Sequence, residues 1–359
     1  MANWILAATF SIFLSLLTFA SDFARAQSEI TPPHDVGDEA RTPLKEGHSF
    51  GISVENDSRN VGGPGVDQAY SNGIKFSYTY ARDKIPNWVP KFFLETSYFK
   101  RELEKSGANF GLALNHQIYT PNNTSIATLI PIDRPYAAWL NLAFSLNIKT
   151  ENYSHMFEAS VGAVGPVAIG EQVQNGFHRL IGTSTSAGWG NQLDNEPVLQ
   201  LMYQRRLRFF ELRSGGARYF DIIPIVGGGL GNVLIGAHAG AIARLGWNLP
   251  DNFGPSRPSG AEADSFVVAG VPKRPKHGYF VFAGARGNAV ARNLFLDGNT
   301  FRSSHRVTKY PLTAETEIGV GVHVLPVSLV WRFVVRSPDF EENSGFNSFA
   351  SLGLTYITD

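Results

Sequence analysis

The sequence contains no cysteine, so its stability cannot depend on disulfide bonds and must come from hydrogen-bonded architecture. Charged residues make up only 17% of the chain, and 31 acidic residues balance 31 basic residues. The resulting net charge of zero gives no electrostatic reason to expect nucleic-acid binding. Beyond residue 26, no apolar run approaches the roughly 20 residues that a membrane-spanning helix needs.

Two kinds of catalytic motif are also missing from the sequence. No G-x-S-x-G sequence occurs, which argues against a serine nucleophile of the α/β-hydrolase type. A zinc site is not expected, because the histidines that could be ligands are scattered and form no closely spaced pair: His155, His178, His238, His277, His305 and His323. Hydrolysis by a water that a histidine activates and a hard cation assists remains compatible with the sequence.

Residues 1–26 are predicted to be a secretory signal peptide. Ile5 to Phe19 form a nearly unbroken apolar run, and Ala24-Arg25-Ala26 fits the small-x-small pattern of a cleavage site. No Lys or Arg precedes the run, which departs from the usual pattern, and a membrane anchor is the alternative. Because the run is shorter than a spanning helix, export is favoured. Residues 27–48 are expected to be a loosely ordered leader, and residues 49–359 a single domain.

Alternation of apolar and polar residues dominates the chain from residue 49 onward. Leu140 to Ile148 alternates for nine residues, and Ile74 to Tyr80 and Ile318 to His323 show the same period. Together with 36 glycines and 12% aromatic residues, this pattern indicates an all-β protein. A soluble sandwich or barrel and an outer-membrane barrel both fit it. The length of several runs matches a tilted membrane-spanning strand better than a globular strand of about five or six residues.

The predicted fold is therefore a single transmembrane antiparallel β-barrel of the bacterial outer membrane. Aromatic residues near the strand ends are expected to form interfacial girdles: Tyr78, Tyr80, Trp88, Tyr136 and Trp139. Segments without alternation are expected to be loops of the same barrel, and loops of this length usually carry function: 82–108, 120–135, 165–197, 247–277 and 287–312.

The loop 165–197 contains a run, Glu171 to Ile181, that is compatible with a helix. Residues at i, i+3, i+4 and i+7 share a helical face, so a polar stripe and an apolar stripe are predicted: Glu171, Gln174 and His178 on one side, and Val173, Phe177 and Leu180 on another. A histidine four residues after a glutamine is suited to activating water near neutral pH. The alternative is a loop helix whose polar face simply meets solvent.

Three further clusters contain polar residues that can do chemistry. Glu55-Asn56-Asp57 offers the carboxylate and amide oxygens that calcium prefers, although Asx residues after a strand are equally typical of turns. Ser71 and Asn72 could supply hydroxyl or amide contacts, although Asn-Gly also marks a turn. Asp133 and Arg134 could orient a substrate or tie a loop to the barrel wall.

These clusters, in this order, resemble the outer-membrane lipid A 3'-O-deacylase family of the LpxR type. The matching segments cover nearly the whole chain after the predicted signal peptide: VENDS at 54–58, DQAYSNG at 67–73, DRPYAAWL at 133–140, GPVAIGEQVQNGFH at 165–178, GWGNQ at 188–192, DIIPIVGGGLGNV at 221–233, ARLGWNLPDNFGP at 243–255 and FVFAGARGNAVARNLFLDGNTF at 280–301. The resemblance implies a barrel of about twelve strands, with a short helix in an extracellular loop and a site near the outer, lipopolysaccharide-facing rim.

The activity that the resemblance implies is hydrolysis of the 3'-position ester of lipid A, by a mechanism similar to that of a calcium-dependent phospholipase A2. His178 is then the general base, and Gln174, one helical turn earlier, orients water or substrate. Asn56 and Asp57 match motif positions near a Ca2+ ion that stabilises the oxyanion. Ser71 stands where relatives often have threonine and keeps the hydroxyl.

One position departs from the pattern, because some relatives have an acidic residue where this chain has Ser184. Four other residues are expected to support the site or contact substrate: Asp133, Arg134, Asn191 and Gln192. The implied partners are lipopolysaccharide and outer-membrane lipid, with no nucleic acid, and a monomer is expected. Two alternatives stay open, an outer-membrane phospholipase or esterase and a non-enzymatic barrel with a decayed site.

Overall fold

The computed structural model describes residues 42–43, 47–57, 69–81, 84–87, 89, 108–255, 273–274, 277–343 and 345–358. Within these ranges, twelve antiparallel strands form a closed barrel in which each strand pairs with its neighbours in the chain and the last strand pairs with the first. The predicted all-β transmembrane barrel is thus confirmed. No helix in the described part of the chain is long and apolar enough to cross a membrane.

The strands that make the wall are labelled in chain order. They are β1 (Ser49–Asn56), β2 (Ala69–Thr79), β3 (Ala108–Thr120), β4 (Ala137–Lys149), β5 (Tyr153–Val164), β6 (Glu196–Leu207), β7 (Ala217–Gly231), β8 (Leu234–Trp247), β9 (His277–Asn293), β10 (Leu312–Val324), β11 (Val327–Arg336) and β12 (Asn347–Ile357). A short strand, Phe210–Ser214, pairs with the start of β7 outside this set. Two helices are α1 (Gly170–Leu180) and α2 (Leu294–Asp297).

The period-two pattern places apolar side chains outside the barrel and polar or small ones inside. In β10, Ile318, Val320 and Val322 are exposed, whereas Glu315 and Glu317 on the alternate positions are buried in the lumen. An apolar outward face is what a barrel needs in order to lie in lipid. The strands other than β1, which has 8 residues, run from 10 residues in β11 to 17 in β9 and are long enough for a tilted span.

Two luminal glycines of β10 make room for aromatic rings. A Cβ atom on Gly319 would lie 2.4 Å from the ring of Phe282, and one on Gly321 would lie 2.2 Å from the ring of Phe280. The neighbouring strand β9 can therefore bury both rings inside the barrel. Alternating glycines in β10 thus indicate close ring packing rather than flexibility.

The lumen is filled from both ends. At one end α2 folds inward, and Phe295 stacks on Tyr119 with ring centroids 3.9 Å apart. At the other end, Leu249 and Phe253 pack against inward-facing residues of the wall, including Phe280. Packed side chains thus fill both ends of the interior, and a cavity lined in part by Tyr119, Arg286 and Glu315 remains inside the barrel.

The two rims of the barrel are distinguished by the chain ends. Ser49 and Ile357 pair at one rim, called the terminal rim here. At the other, the distal rim, β1 ends at Asn56 and β3 ends at Thr120. The segment between β5 and β6, which contains α1, also lies at the distal rim.

Some expectations differ from the structure. Trp139 is buried in the lumen and Tyr136 is buried against Trp189, so neither contributes to a girdle. Tyr78 and Tyr80 do pack together near the terminal rim, 4.8 Å between ring centroids.

The loop expected from residue 287 is wrong at its start, because β9 continues to Asn293 with small residues on its outward face. In the leader, Thr42–Pro43 pairs with Lys273–Arg274, so this short piece is ordered. The predicted signal peptide and Trp88 lie outside the described residues.

Candidate functional site

Helix α1 packs against the outward face of the wall, not inside the barrel. Trp189 and Ala168, which flank the helix in sequence, form a buried cluster with Ile118 of β3 and Ala138 of β4. Ile118 shares its face with Leu114, which is exposed on the outside of β3. The helix predicted at 171–181 is confirmed as Gly170–Leu180. It therefore covers the outer wall at the distal rim.

The start of α1 is pressed onto the wall. A Cβ atom on Gly170 would lie 2.4 Å from the Cβ of Ala138, so only glycine permits this approach. His116 Nε2 donates a hydrogen bond of 2.8 Å to the carbonyl oxygen of Ala168, which ties the segment before the helix to β3. Ile169 precedes the helix in the left-handed conformation, with φ 54° and ψ 30°.

The middle of α1 is locked to the following loop by two buried amides. Gln174 Oε1 accepts a hydrogen bond of 2.9 Å from Trp189 Nε1. Asn175 bonds to the main chain of Ser186 in both directions, at 3.0 Å and 2.8 Å. The helix is thus held firmly, and it is not a loop helix whose polar face merely meets solvent.

His178 is held in one tautomer by the same loop. Its Nδ1 lies 2.7 Å from the carbonyl oxygen of Ser184, and since a carbonyl can only accept, Nδ1 carries the proton. In the neutral ring, Nε2 then bears the lone pair that can accept a proton. The main chain of Ser184 therefore orients the imidazole, whatever side chain stands at that position.

The polar residues predicted at the ends of β1 and β2 come together. A β-bulge between Tyr70 and Asn72 interrupts the register at Ser71. The Ser71 hydroxyl lies 2.6 Å from the Thr120 hydroxyl. The main-chain carbonyl oxygen of Ser71 accepts hydrogen bonds from Asn56 Nδ2 at 3.4 Å and from the Asp57 amide at 3.3 Å. Asn56, Asp57, Ser71 and Thr120 are called the oxygen cluster below.

The oxygen cluster and α1 share the outward face of the wall. Asn56 follows the exposed Val54 by two residues, and Thr120 follows Ile118 by two, so both point outward. Ile118 packs in the cluster that contains Trp189, and Trp189 bonds to Gln174 on α1. The structure thus places the five predicted site residues, Asn56, Asp57, Ser71, Gln174 and His178, on one side of the barrel at the distal rim.

The oxygen cluster contains the types of ligand that a hard cation prefers. Asp57 contributes a carboxylate and is buried, while Asn56 and Ser71 contribute neutral oxygens, which calcium also accepts. Glu55 lies on the alternate, luminal side of β1. Among the described residues, no group of three or more His, Asp or Glu side chains converges. Asp57, Asn56 and Ser71 are thus the described residues whose oxygens could hold a hard cation here, with water completing the ligand set.

Asp133 and Arg134 tie loops together. Asp133 accepts from the amides of Asn122 and Arg134, at 2.7 Å and 2.8 Å. Arg134 forms an ion pair with Asp339 and lies over the ring of Phe340. The loop-tying alternative is the one that the geometry supports for this pair.

Asn191 has a similar role, because its Nδ2 donates to the carbonyl oxygen of Ala127 at 2.8 Å. Gln192 follows it and is half-buried at the end of a short 3₁₀ turn.

Sequence reasoning missed Thr120, His116 and Asn175. The first two were detectable, because β3 carries polar side chains at alternate positions of an otherwise apolar outward face. A polar residue on a lipid-facing stripe near a strand end needs a partner outside the wall. Asn175 gives no such signal, since its partner is the main chain of a loop that only the fold brings near.

Comparison with known proteins identifies a family and a similar fold. The family model described as outer membrane protein LpxR matches residues 11–358. No curated protein sequence gives a significant match to the chain.

Among solved structures, LpxR from Salmonella typhimurium is similar with a TM-score of 0.68 at 20% sequence identity, covering 86% of this chain and all of that one. The translocator domain of the autotransporter NalP from Neisseria meningitidis gives a TM-score of 0.36 at 10% identity over 97% of this chain and 99% of that one. The latter likeness is too low to carry an argument.

Proposed function

The chain belongs to the LpxR family of outer membrane proteins, and we propose that it is a lipid A deacylase that hydrolyses the ester at the 3' position. The observation that carries the proposal is the tautomer of His178, whose Nδ1 donates to the Ser184 carbonyl oxygen at 2.7 Å. That hydrogen bond prepares Nε2 as a general base on a helix fixed beside the oxygen cluster.

In the proposed reaction, His178 Nε2 removes a proton from a water molecule, which attacks the carbonyl carbon of the ester. The resulting tetrahedral intermediate collapses with cleavage of the bond to the sugar oxygen. The imidazolium returns its proton to that oxygen, so a fatty acid leaves and a hydroxyl remains on the sugar. Gln174 fixes the helix through Trp189, and it is proposed to position the histidine rather than to bind the water.

The oxygen cluster is proposed to hold Ca2+ through Asp57 and Asn56, with the Ser71 hydroxyl beside them. When bound, the ion would stabilise the negative charge that develops on the carbonyl oxygen. Asp57 is the only carboxylate in the cluster, so it is the residue expected to govern the affinity for the ion.

The position of the site supports a lipid substrate. His178 and the oxygen cluster lie on the outward wall, where a lipid can approach from the membrane without entering the barrel. The other alternative, a non-enzymatic barrel with a decayed site, predicts the same lipid A with and without the His178→Ala substitution. No feature of the described residues favours phospholipid over lipid A, so the phospholipase alternative becomes an outcome of the test.

The test is mass spectrometry of lipid A from cells that produce the wild-type chain, the His178→Ala variant or the Asp57→Asn variant. We expect loss of the 3' acyl group in the wild type alone. Chelation of calcium in isolated wild-type membranes should suppress the reaction, and added calcium should restore it. Unchanged lipid A with a correctly folded wild-type barrel would overturn the proposal, and release of fatty acid from phospholipids instead would identify the rival.

A further inference from the structure

Helix α1 carries a ridge of apolar side chains. Val173, Phe177 and Leu180 lie one helical turn apart on one side, and Ile169 precedes them. Val173 packs against the wall, but Phe177 is 52% exposed and Leu180 is 82% exposed. The residues Ile169, Val173, Phe177 and Leu180 are called the apolar ridge below.

The apolar ridge continues the lipid-facing surface of the wall. Leu114 of β3 and Leu142 of β4 are exposed on the outside of the strands on which α1 packs, and Val161 is exposed on the outside of the neighbouring β5. In an outer membrane protein, these side chains meet the acyl chains of the bilayer. Because Val173 packs on this wall, the surface extends from the strands onto the helix without a break.

The ridge and His178 lie on different sides of the helix. Gln174 and Gly170 face the wall, with the ridge to one side of them and the polar stripe of Glu171, Asn175 and His178 to the other. A helix with one apolar and one polar side beside its anchoring face is suited to the boundary between acyl chains and headgroups.

Ile169 provides a second, independent observation. A β-branched residue at φ 54° is a conformational outlier, and the position before a helix normally favours Asn, Asp, Ser, Thr or Gly. Its side chain is 47% exposed, so packing within the protein does not account for it. A surrounding of lipid would favour this side chain over the residues that the backbone prefers.

We propose that the apolar ridge is an interfacial anchor, which inserts Phe177 and Leu180 among the acyl chains of the outer leaflet and holds α1 at the lipid surface. The anchoring itself follows from the barrel's place in the membrane. Its catalytic consequence rests on the proposed function, since the anchor would keep His178 at the depth where an acyl ester of a membrane lipid begins.

The first experiment measures depth without using activity. Because the chain has no cysteine, a single nitroxide label can be attached at Leu180→Cys, with Leu142→Cys as the lipid reference and Glu341→Cys, in an exposed loop, as the water reference. In phosphatidylethanolamine vesicles, the label at 180 should be relaxed more by oxygen than by a water-soluble nickel complex, as at 142. Behaviour like that at 341 would overturn the proposal.

The second experiment measures the catalytic consequence. A double variant, Phe177→Ser with Leu180→Ser, is compared with Phe301→Ser, which removes an exposed apolar side chain that is not part of α1. With lipid A in phosphatidylethanolamine vesicles, the double variant should raise KM by about tenfold or more, since burial of one large apolar side chain is worth about that factor. Its kcat on a water-dispersed, short-chain acyl glucosamine should be unchanged.

The outcomes separate the two proposals. An inserted label in a wild-type barrel that hydrolyses no lipid A would support the anchor and remove the deacylase function. The anchor would be overturned if the Phe301→Ser control raised KM as much as the double variant does. It would also be overturned if the double variant lost as much activity on the dispersed substrate as on vesicles. Either result would leave the deacylase function intact.

Discussion

The lumen of the barrel and its outward wall at the distal rim both carry polar side chains, but these make different contacts. Inside, arginines face carboxylates across neighbouring strands, and the first of these pairs is fully buried: Arg244 with Asp221, Arg332 with Glu317, and Arg286 with Glu315. Outside, Asn56, Asp57 and Ser71 form hydrogen bonds to the Ser71 carbonyl oxygen and to the Thr120 hydroxyl. The luminal charges pair with one another, whereas the outward residues are the ones proposed above to hold a cation.

The difference shows that the same period-two strand pattern serves two purposes. A luminal polar residue fills the barrel and joins strands. A polar residue on the lipid side costs stability in proportion to its depth, so it is retained near a rim and covered by another element. The segment before α1 covers His116 of β3 in this way. The comparison predicts that luminal substitutions lower stability, whereas substitutions at the outward site lower activity.

The largest effect is expected for His178→Ala. Loss of the general base should lower the deacylation rate by about 10²- to 10⁴-fold, because this is the contribution of a positioned acid-base group. The half-buried side chain lies outside the barrel, so the unfolding midpoint in urea should not move. A shift of the midpoint together with the rate would show that the outward site also holds the barrel together.

A loss of stability without a loss of activity is expected for Asp221→Asn in the lumen. Arg244 donates to both carboxylate oxygens of Asp221, at 2.8 Å and 2.5 Å, and both residues are fully buried. Removal of one partner leaves a buried charge and should cost about 3–5 kcal/mol of unfolding free energy. Deacylation per folded molecule should stay at the wild-type level. A specific loss of activity in the folded fraction would contradict the separation of the two regions.

A smaller effect is expected for Trp189→Phe, which changes the contact between α1 and the outward wall. The variant leaves Gln174 Oε1 buried without its donor, at a cost of about 1–3 kcal/mol. Hydrogen exchange should become faster in the amides of α1, and deacylation should fall, while strand amides keep their protection. Trp247→Phe near the terminal rim is the matched control, and equal exchange changes in both variants would refute a local role.

The smallest effect is expected for Ser184→Ala. His178 is held by the main-chain carbonyl of this residue, so removing the hydroxyl should leave the rate within about twofold, the range of ordinary surface substitutions. Steady-state rates at saturating lipid A would measure it. A large loss would mean that the side chain contributes what an acidic residue contributes in some relatives.

The barrel and α1 could be predicted because both depend on patterns between residues that are close in sequence. Leu140 to Ile148 alternates strictly, and β4 indeed runs from Ala137 to Lys149. The spacing of Gln174 and His178, one helical turn apart, likewise depends only on the helical repeat, although Gln174 faces the wall and His178 lies beside that face.

Features that depend on distant contacts could not be predicted in the same way. The end of β9 alternates alanine with asparagine and arginine, so its hydrophobic signal is weak, and only its neighbours β8 and β10 identify it as a strand. Trp139 was expected at a membrane interface, yet the strand phase turns it inward. The hydrogen bond from His178 to Ser184 uses a main-chain carbonyl oxygen, which every residue has, so the residue type at position 184 does not reveal it.

The pairing of β12 with β1 has a consequence for the order of assembly. The main-chain amide of His48 bonds to the Thr358 hydroxyl across 310 positions of sequence, so the first strand finds its partner only after the whole chain has arrived. Until then β1 presents an open edge, which in lipid is untenable and in water invites aggregation. Insertion must therefore be nearly all-or-none, and a chain that ends before Asn347 would be left with two unpaired edges and discarded.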